Sequence, residues 1–243
     1  MTPRHDVVII GAGLAGLAAA RRIARAGLSP LVLEAAAAVG GRVATEERDG
    51  FLLDRGFQVF LDSYPEARAV LDLPALQLAR FEAGALVRHA AGVGRVADPW
   101  RSPVAGARSL VSGVFTPADA WRMLRLRADA LRASRRNAVA SLDDTTANAL
   151  RVRGFSDRAV DGFFRPFFGG VFLDAELDAP TSWFEFLFGM FATGYATLPR
   201  DGMRAIPQQL AAALPAGAVR TSARVRSVSE GRVELASGEQ LTA

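Results

Sequence analysis

The sequence contains neither cysteine nor lysine, and it has only two histidines. The lack of cysteine excludes disulfides, thiolate metal ligands, iron–sulfur clusters, cysteine nucleophiles and a thioether link from this segment to a cofactor. His5 and His89 have no companion residues at ligand spacing, so we predict no metal site. The sequence also has no P-loop lysine and no G-x-S-x-G nucleophile elbow, which argues against a P-loop nucleotide-binding enzyme and against an α/β-hydrolase.

The missing lysine means that all 29 basic residues are arginines, set against 25 acidic residues for a net charge of +4. One segment, expected to be a helix over residues 121–136, holds a cluster of them: Arg122, Arg125, Arg127, Arg132, Arg135 and Arg136. Such a face could meet anionic lipid or nucleic acid. A solvated face is favoured, because acidic residues elsewhere nearly balance the charge. We predict no nucleic-acid partner, while a peripheral membrane contact and the oligomeric state stay open.

Long apolar runs are also missing. The longest uncharged stretch made only of apolar residues and glycine, residues 7–20, is too short to span a bilayer and is interrupted by glycines. No charged region followed by an apolar core and a cleavage site opens the chain, so we expect a cytoplasmic protein. Half of the residues are hydrophobic and 22% are charged, which is typical of a globular chain.

The most informative segment begins with an apolar run, DVVII at residues 6–10, that runs directly into glycines. A helical pattern follows over residues 14–26, and a second short strand over residues 31–34, so the segment predicts a βαβ unit. In the pattern Gly11-x-Gly13-x-x-Gly16, the first glycine permits a tight turn and the second a close approach of a pyrophosphate. The third allows close packing of helix and strand. These residues predict a dinucleotide site; a glycine turn without a ligand is the alternative.

Two further features support a dinucleotide. Glu34 ends the second strand, where a carboxylate can accept hydrogen bonds from a ribose diol. Val39-Gly-Gly-Arg-Val43 then supplies a second glycine turn, and its guanidinium suits a second approach to the same pyrophosphate. The alternative for Arg42 is a turn with a solvent-facing side chain.

The remaining chain predicts two domains. An antiparallel hairpin is expected near residues 85–98, with helices over residues 117–140, 146–154 and from residue 157, capped by Thr116, Thr145 or Thr146, and Ser156. A helix is expected over residues 205–214, and strands are expected over residues 219–228 and 232–236. The fold class is α/β.

Residues 6–58, DVVIIGAGLAGLAAARRIARAGLSPLVLEAAAAVGGRVATEERDGFLLDRGFQ, resemble the amino-terminal segment of the flavin amine oxidase, protoporphyrinogen oxidase and phytoene desaturase superfamily. FFRPFFGGVFLDAEL and ATLPRDGMRAIPQQLA are similar to later segments of phytoene-desaturase-like members. The resemblance implies a Rossmann-like FAD/NAD(P)-binding domain (1–62 and 197–243) with an inserted α+β substrate domain (63–196). It also implies noncovalent FAD, with Asp54 to Gly56 near the flavin end and Val225 near adenine. The implied cofactor-binding residues are Gly11, Ala12, Gly13, Leu14, Ala15, Gly16, Glu34, Ala35, Gly40, Gly41, Arg42, Gly56, Phe57 and Val225.

Two departures from the family pattern bear on function. Members normally continue through a late Gly-Asp segment, so we expect a chain truncated at its carboxyl end. Amine oxidases of the group often hold a lysine near flavin N5, and none is present here. The resemblance implies hydride transfer from an apolar substrate to flavin, phytoene-desaturase-like or amine-oxidase-like, with no catalytic residue assigned. The alternatives are an NAD(P)-dependent dehydrogenase and a non-catalytic nucleotide-binding fragment.

Phenylalanine is concentrated in one stretch. Nine of the 15 phenylalanines lie between Phe163 and Phe191, together with Trp183 and Met190. Aromatic clusters of this kind are usually core, which is the favoured interpretation. The alternative, an apolar cavity or a membrane-facing mouth, is the basis for expecting an apolar small-molecule substrate.

Overall fold

The computed structural model describes residues 5–89, 92–109, 113–136 and 144–242. The strands are β1 (Val7–Ile10), β2 (Pro30–Leu33), β3 (Val43–Arg48), β4 (Phe51–Gly56), β5 (Phe60–Leu61), β6 (Ala79–Arg80), β7 (Gly84–His89), β8 (Gly92–Ala97), β9 (Ala196–Leu198), β10 (Val219–Arg220), β11 (Val225–Ser229), β12 (Arg232–Leu235) and β13 (Gln240–Thr242). The helices are α1 (Leu14–Arg25), α2 (Pro65–Val70), α3 (Pro103–Ser109), α4 (Pro117–Arg136), α5 (Thr146–Val152), α6 (Asp157–Ala159), α7 (Arg165–Phe172), α8 (Thr181–Thr193) and α9 (Ala205–Ala212).

The chain divides into two compact units, the first formed by Met1–Arg80 with Thr197–Ala243 and the second by Phe81–Ala196. The first boundary between the two units therefore lies after residue 80, whereas the sequence predicted a domain boundary after residue 62. Residues 63–80 belong with the first unit because Leu76 packs in one core cluster with Met203 and Ile206. Strand β6 also pairs with β9, with Ala79 opposite Leu198.

The first unit is built on a parallel sheet in which β2 lies between β1 and β10. All four residues of β2 are buried, as a strand covered on both faces requires. The crossover from β1 to β2 is helix α1, whose Leu17 and Ala20 pack against Val32 and against Leu210 of α9. The predicted βαβ unit is present with its strands in parallel register.

A second, antiparallel sheet of β11, β12 and β13 packs against the parallel sheet through Leu235 and Leu33. The single strand expected over residues 219–228 is wrong, because two strands of different sheets occupy that segment. Ser222 has a positive φ of 53°, which turns the chain between them. Its N–H donates to the carbonyl oxygen of Ala36 at 2.8 Å.

Two smaller sheets complete the first unit. Strands β3 and β4 form a hairpin with Thr45 directly opposite Asp54. Strand β9 lies between β5 and β6. There the hydroxyl of Thr197 donates to the carbonyl of Phe60 at 2.7 Å, which satisfies a buried polar side chain.

The second unit contains the expected antiparallel hairpin, β7 with β8. Thr145 caps α5 and Ser156 caps α6, each by accepting a hydrogen bond from a backbone N–H three residues on. The expected continuation of α4 to residue 140 lies outside the described residues. Between α6 and α7, residues Val160–Phe164 form one π-helical turn.

The phenylalanines of the second unit pack on one another. Phe164, Phe168 and Phe184 are almost fully buried, and the ring centroids of Phe168 and Phe184 lie 4.9 Å apart in an edge-to-face arrangement. Met190 is buried as well, whereas Trp183 is 65% exposed. Three of the nine phenylalanines are therefore core, five are half-buried, and Phe186 is exposed, so the core interpretation holds for part of the stretch.

The arginines of α4 are largely engaged. Arg122 lies 3.6 Å from Asp119, Arg127 lies 3.3 Å from Asp98, and Arg132 lies 3.0 Å from Asp129. The side chains of Arg135 and Arg136 lie outside the described residues. Over the described part of the chain, no helix combines the length and the apolarity needed to cross a membrane.

Candidate functional site

The first glycine turn lies at the carboxyl end of the parallel strands, between β1 and α1. Gly11 has a φ of +97°, and its N–H donates to the carbonyl of Leu33 at 2.8 Å, which fixes the turn to β2. A Cβ on Gly16 would lie 2.0 Å from the carbonyl oxygen of Gly11, so α1 can begin this close to the turn only with glycine there. A Cβ on Gly11 or Gly13 would meet nothing within 4 Å. The turn is tight on its packed side and open on the other.

The open side exposes the start of α1. Gly13 is the N-cap residue with extended backbone, and no side chain of the described residues caps the helix. Leu14 and Ala15 are exposed at the first two helical positions. The first N–H groups of a helix have no partners within it, and the helix dipole favours negative charge there. This end of α1 therefore offers amide donors beside open space at Gly11 and Gly13.

Glu34 is hydrogen-bonded to the glycine turn itself. One carboxylate oxygen accepts from the N–H of Ala12 at 2.8 Å and the other from the N–H of Ala36 at 2.8 Å. The amide of Ala12 is thereby engaged by Glu34, a contact that the sequence analysis missed. Each carboxylate oxygen can accept a further hydrogen bond. Ala35, which lies between Glu34 and Ala36 in the chain, is exposed.

The second glycine turn lies directly against the first. Gly40 forms an isolated parallel bridge with Gly13, and its N–H donates to the carbonyl of Ala12 at 2.8 Å. A Cβ on Gly41 would lie 3.6 Å from the Cα of Gly13. The structure therefore brings together the two turns that the sequence analysis paired.

Arg42 follows the second turn and is exposed. No carboxylate of the described residues forms an ion pair with it, and its guanidinium carbon lies 5.9 Å from the centre of the Phe57 ring. Gly56 is opposite Val43 in the hairpin, and a Cβ there would lie 3.1 Å from the carbonyl oxygen of Arg42. Arg42, Gly56 and Phe57 thus lie at the same end of the β3–β4 hairpin.

Val225 lies at the start of β11, half-buried against the cluster that contains Leu31 and Leu33. The approach to β11 is tied to β2, because the N–H of Ala223 donates to the carbonyl of Glu34 at 2.8 Å. Val225 is therefore two residues from the chain segment that crosses the end of β2.

A hydrogen-bonded cluster beside these turns contains Asp54, which the resemblance placed near the flavin end, but its contacts were not predicted from the sequence. The N–H groups of Met203 and Arg204 donate to side chains of the β3–β4 hairpin, to Asp54 Oδ1 at 2.9 Å and to Thr45 Oγ1 at 2.9 Å. The similarity of residues 196–211 to a family segment marked the place but assigned no role. A contact 149 residues apart in sequence leaves no signal in local spacing.

A shallow cavity of about 350 Å³ lies at the opposite edge of the parallel sheet. It is lined by residues that precede or begin the strands, including His5, Ser29 and Gly217. The glycine turns lie at the other end of the strands, so the cavity is separate from them. Ligands of open parallel sheets bind outside the carboxyl ends of the strands, where the glycine turns are. Among the described residues, no group of three or more potential metal ligands is found.

Parts of the chain are similar in sequence to known plant proteins. The chain is 44% identical over 63 residues to 15-cis-phytoene desaturase of Arabidopsis thaliana, covering 26% of this chain and 11% of the relative. It is 27% identical over 166 residues to protoporphyrinogen oxidase 2 of the same plant, covering 68% of this chain and 32% of the relative. The chain therefore spans a third or less of these curated relatives.

Solved structures share the fold over almost the whole chain. Wild-type putrescine oxidase bound to putrescine matches with a TM-score of 0.66 at 24% identity, covering 99% of this chain and 57% of that one. Cyclohexylamine oxidase from Brevibacterium oxydans matches with a TM-score of 0.65 at 21% identity, covering 99% and 56%. The chain thus spans little more than half of either structure.

The family comparison is more extensive than either curated match. A sequence profile described as "Flavin containing amine oxidoreductase" matches residues 14–243, which is nearly the entire chain. This family implies a flavin cofactor. The chain belongs to the flavin-containing amine oxidoreductase family.

Proposed function

We propose that this chain supplies the FAD-binding part of a flavin-dependent oxidoreductase that acts on an apolar substrate. One observation carries the proposal: two glycine turns lie against each other at the uncapped start of α1, and the exposed Arg42 follows the second turn. Backbone amides, a helix dipole and a guanidinium are the groups that bind a diphosphate.

The residues at the site suit FAD as follows. The N–H groups at the start of α1 and of the second turn would hold the diphosphate, and Arg42 would balance its charge. Glu34 would accept from the adenosine ribose through the lone pairs that Ala12 and Ala36 leave open. Val225 would lie near the adenine, and Gly56 and Phe57 near the isoalloxazine. Because it has no cysteine, this segment can form no thioether link to the cofactor.

A bound flavin supplies the electron acceptor, which takes two electrons and a proton from the substrate as a hydride. This chain's residues would bind and orient the cofactor. We propose an apolar substrate because phytoene desaturases are among the relatives.

The dehydrogenase alternative is less well supported. Glu34 suits the ribose of either dinucleotide, but an NAD site needs only the first glycine turn. The second turn, packed on the first at Gly13 and followed by Arg42, favours the flavin cofactor.

The proposal is tested by titrating FAD with the purified chain and measuring the quenching of flavin fluorescence as the signal for binding. We expect saturable binding that Arg42→Met weakens about tenfold, since a charge-assisted hydrogen bond contributes about 1.5–3 kcal/mol. Arg48→Met is the matched control, because Arg48 is exposed on the same hairpin and pairs only loosely with Asp49. Tight binding of NAD instead of FAD, or no binding of either, would contradict the proposal.

A further inference from the structure

We propose that Thr45 and Asp54 are positioning residues that hold the second glycine turn in place through α9. The proposal rests on the proposed function, because it concerns the same cofactor site. Neither residue belongs to the glycine turns or to the start of α1, where the diphosphate would bind. Their effect on the cofactor would be indirect, through the backbone that they fix.

The pair is a hydrogen-bonded junction between the hairpin and the turn before α9. Thr45 and Asp54 are directly opposite in the β3–β4 register, and the Thr45 hydroxyl donates to Asp54 Oδ1 at 2.5 Å. The same Oδ1 accepts from the N–H of Met203, and the Thr45 hydroxyl oxygen accepts from the N–H of Arg204. Each of the two side chains thus has one bond to the other and one to the turn.

The fit around Gly202 shows how closely the turn approaches the hairpin. A Cβ on Gly202 would lie 2.6 Å from Thr45 Cγ2 and 3.0 Å from Asp54 Oδ1. Gly202 also has a φ of +77°, which side chains rarely adopt. Both features require glycine, so the turn is held at short range by a specific surface of the hairpin.

From this turn the contacts lead directly to the candidate site. Helix α9 begins at Ala205, and its Pro207 would lie 3.1 Å from a Cβ on Gly40. Met203 and Ile206 pack in one core cluster with Val43, the residue after Arg42. Gly40 in turn bonds to Ala12 of the first turn. A shift of α9 would therefore move the second glycine turn, and Arg42 with it.

A pair of this kind is costly to break on one side only. Both side chains are half-buried, and Asp54 Oδ1 accepts two hydrogen bonds. Removal of either residue leaves a backbone N–H of the turn without its acceptor. The turn would then be free to move away from the hairpin.

The test compares Thr45→Val, Asp54→Ala and Thr45→Ser in the full chain. Val keeps the shape of Thr45 without the hydroxyl, and Ser restores the hydroxyl. Asp201→Ala is the matched control, because Asp201 is exposed in the same turn and takes no part in these hydrogen bonds. Far-ultraviolet circular dichroism verifies that each variant is folded.

The first readout is amide hydrogen exchange without FAD, at Gly40. We expect Thr45→Val and Asp54→Ala to speed exchange at Gly40 about fivefold, the factor for one lost hydrogen bond. Thr45→Ser and Asp201→Ala should match the wild type. Unchanged exchange at Gly40 in folded Thr45→Val, or equal effects of Val and Ser, would overturn the proposal.

The second readout is FAD affinity, which we expect to fall about tenfold in Thr45→Val and Asp54→Ala and to be restored in Thr45→Ser. If the wild type binds FAD and these variants bind it equally well, the positioning role is wrong while the proposed function stands. If the wild type binds no FAD, the proposed function fails, and exchange at Gly40 alone decides whether the pair positions the turn.

Discussion

At the residue scale, the glycines of one motif are glycines for different reasons. Gly16 is in contact on its packed side, where a Cβ would lie 2.0 Å from a backbone oxygen. Gly13 faces open space and has an ordinary φ of −74°. Gly16 is therefore required by the fold, and Gly13 by the proposed ligand.

This difference predicts opposite behaviour for two identical substitutions. Gly16→Ala should destabilise the first unit by about 1–3 kcal/mol, because the backbone must shift to admit the methyl group. Gly13→Ala should change stability by less than about 0.5 kcal/mol but weaken FAD binding, since its methyl group points into the proposed diphosphate space. Thermal unfolding and FAD titration of both variants measure this. Equal loss of stability in the two would contradict the account.

Asp119 is a second residue whose role emerges only in three dimensions. Asp119 lies in the first turn of α4, but its side chain is fully buried and also bonds to Ser156, the cap of α6. Its carboxylate accepts from the N–H and hydroxyl of Ser156 and from the N–H and hydroxyl of Thr116. Burial alone would raise the pKa of Asp119, but these hydrogen bonds outweigh burial and lower the pKa to about 2.

We predict that Asp119→Asn destabilises the second unit by about 2 kcal/mol at neutral pH, because an amide N–H₂ would face hydrogen-bond donors. The pKa of Asp119 is lower in the folded state, so its contribution is complete above the unfolded pKa near 4 and is lost as the pH falls toward about 2. Urea unfolding from pH 6 to pH 2, followed by tryptophan fluorescence, should show the difference from wild type shrinking with acid.

The matched control is Asp129→Asn, an exposed acid on the same helix. It should cost less than about 0.5 kcal/mol. A pH-independent difference between wild type and Asp119→Asn would show that the carboxylate is not the group responsible.

At the element scale, the carboxyl end of α8 is held by two arginines from elsewhere in the second unit. Arg101 donates to the carbonyls of Phe191 at 3.1 Å and Gly194 at 2.5 Å. Arg127 donates to the carbonyl of Ala192 at 3.0 Å and lies over the ring of Trp100 at 4.3 Å. Positive charge at a helix carboxyl end also suits the dipole. These side chains satisfy carbonyls that α8 leaves without internal partners.

Arg127→Met should therefore destabilise the second unit by about 2 kcal/mol, the range for charge-assisted hydrogen bonds. Arg125→Met, an exposed neighbour on α4, is the control and should have little effect. All three tryptophans of the chain lie in the second unit, so urea unfolding followed by tryptophan fluorescence reports on that unit. A loss below about 0.5 kcal/mol would show that α8 does not depend on this contact.

The same scale shows what the sequence could predict. The β1–α1–β2 unit, the β7–β8 hairpin and the caps Thr145 and Ser156 follow from local patterns, and all are present. The strand over residues 219–228 was wrong, because a positive φ at a serine carries no local signature. The division after residue 62 was early, because the leucines that follow it pack against α9, far along the chain.

At the scale of the whole molecule, the candidate site is assembled from segments far apart in sequence. The glycine turns and Arg42 were predictable because each has its own spacing. The contact between the two glycine turns could be expected, because both were predicted to bind one ligand. The support from α9 could not be predicted, because residues 45, 54 and 203 are brought together only by the fold. The chain that carries them belongs to the flavin-containing amine oxidoreductase family and spans about half of its structural neighbours.

The most direct test of the account is a heteronuclear NMR titration of the ¹⁵N-labelled chain with FAD. We predict that the largest amide shift changes occur at Leu14, Ala15, Gly41 and Arg42, where backbone N–H groups would meet the diphosphate. Changes confined to the opposite sheet edge around Ser29, or no saturable change at all, would contradict the account.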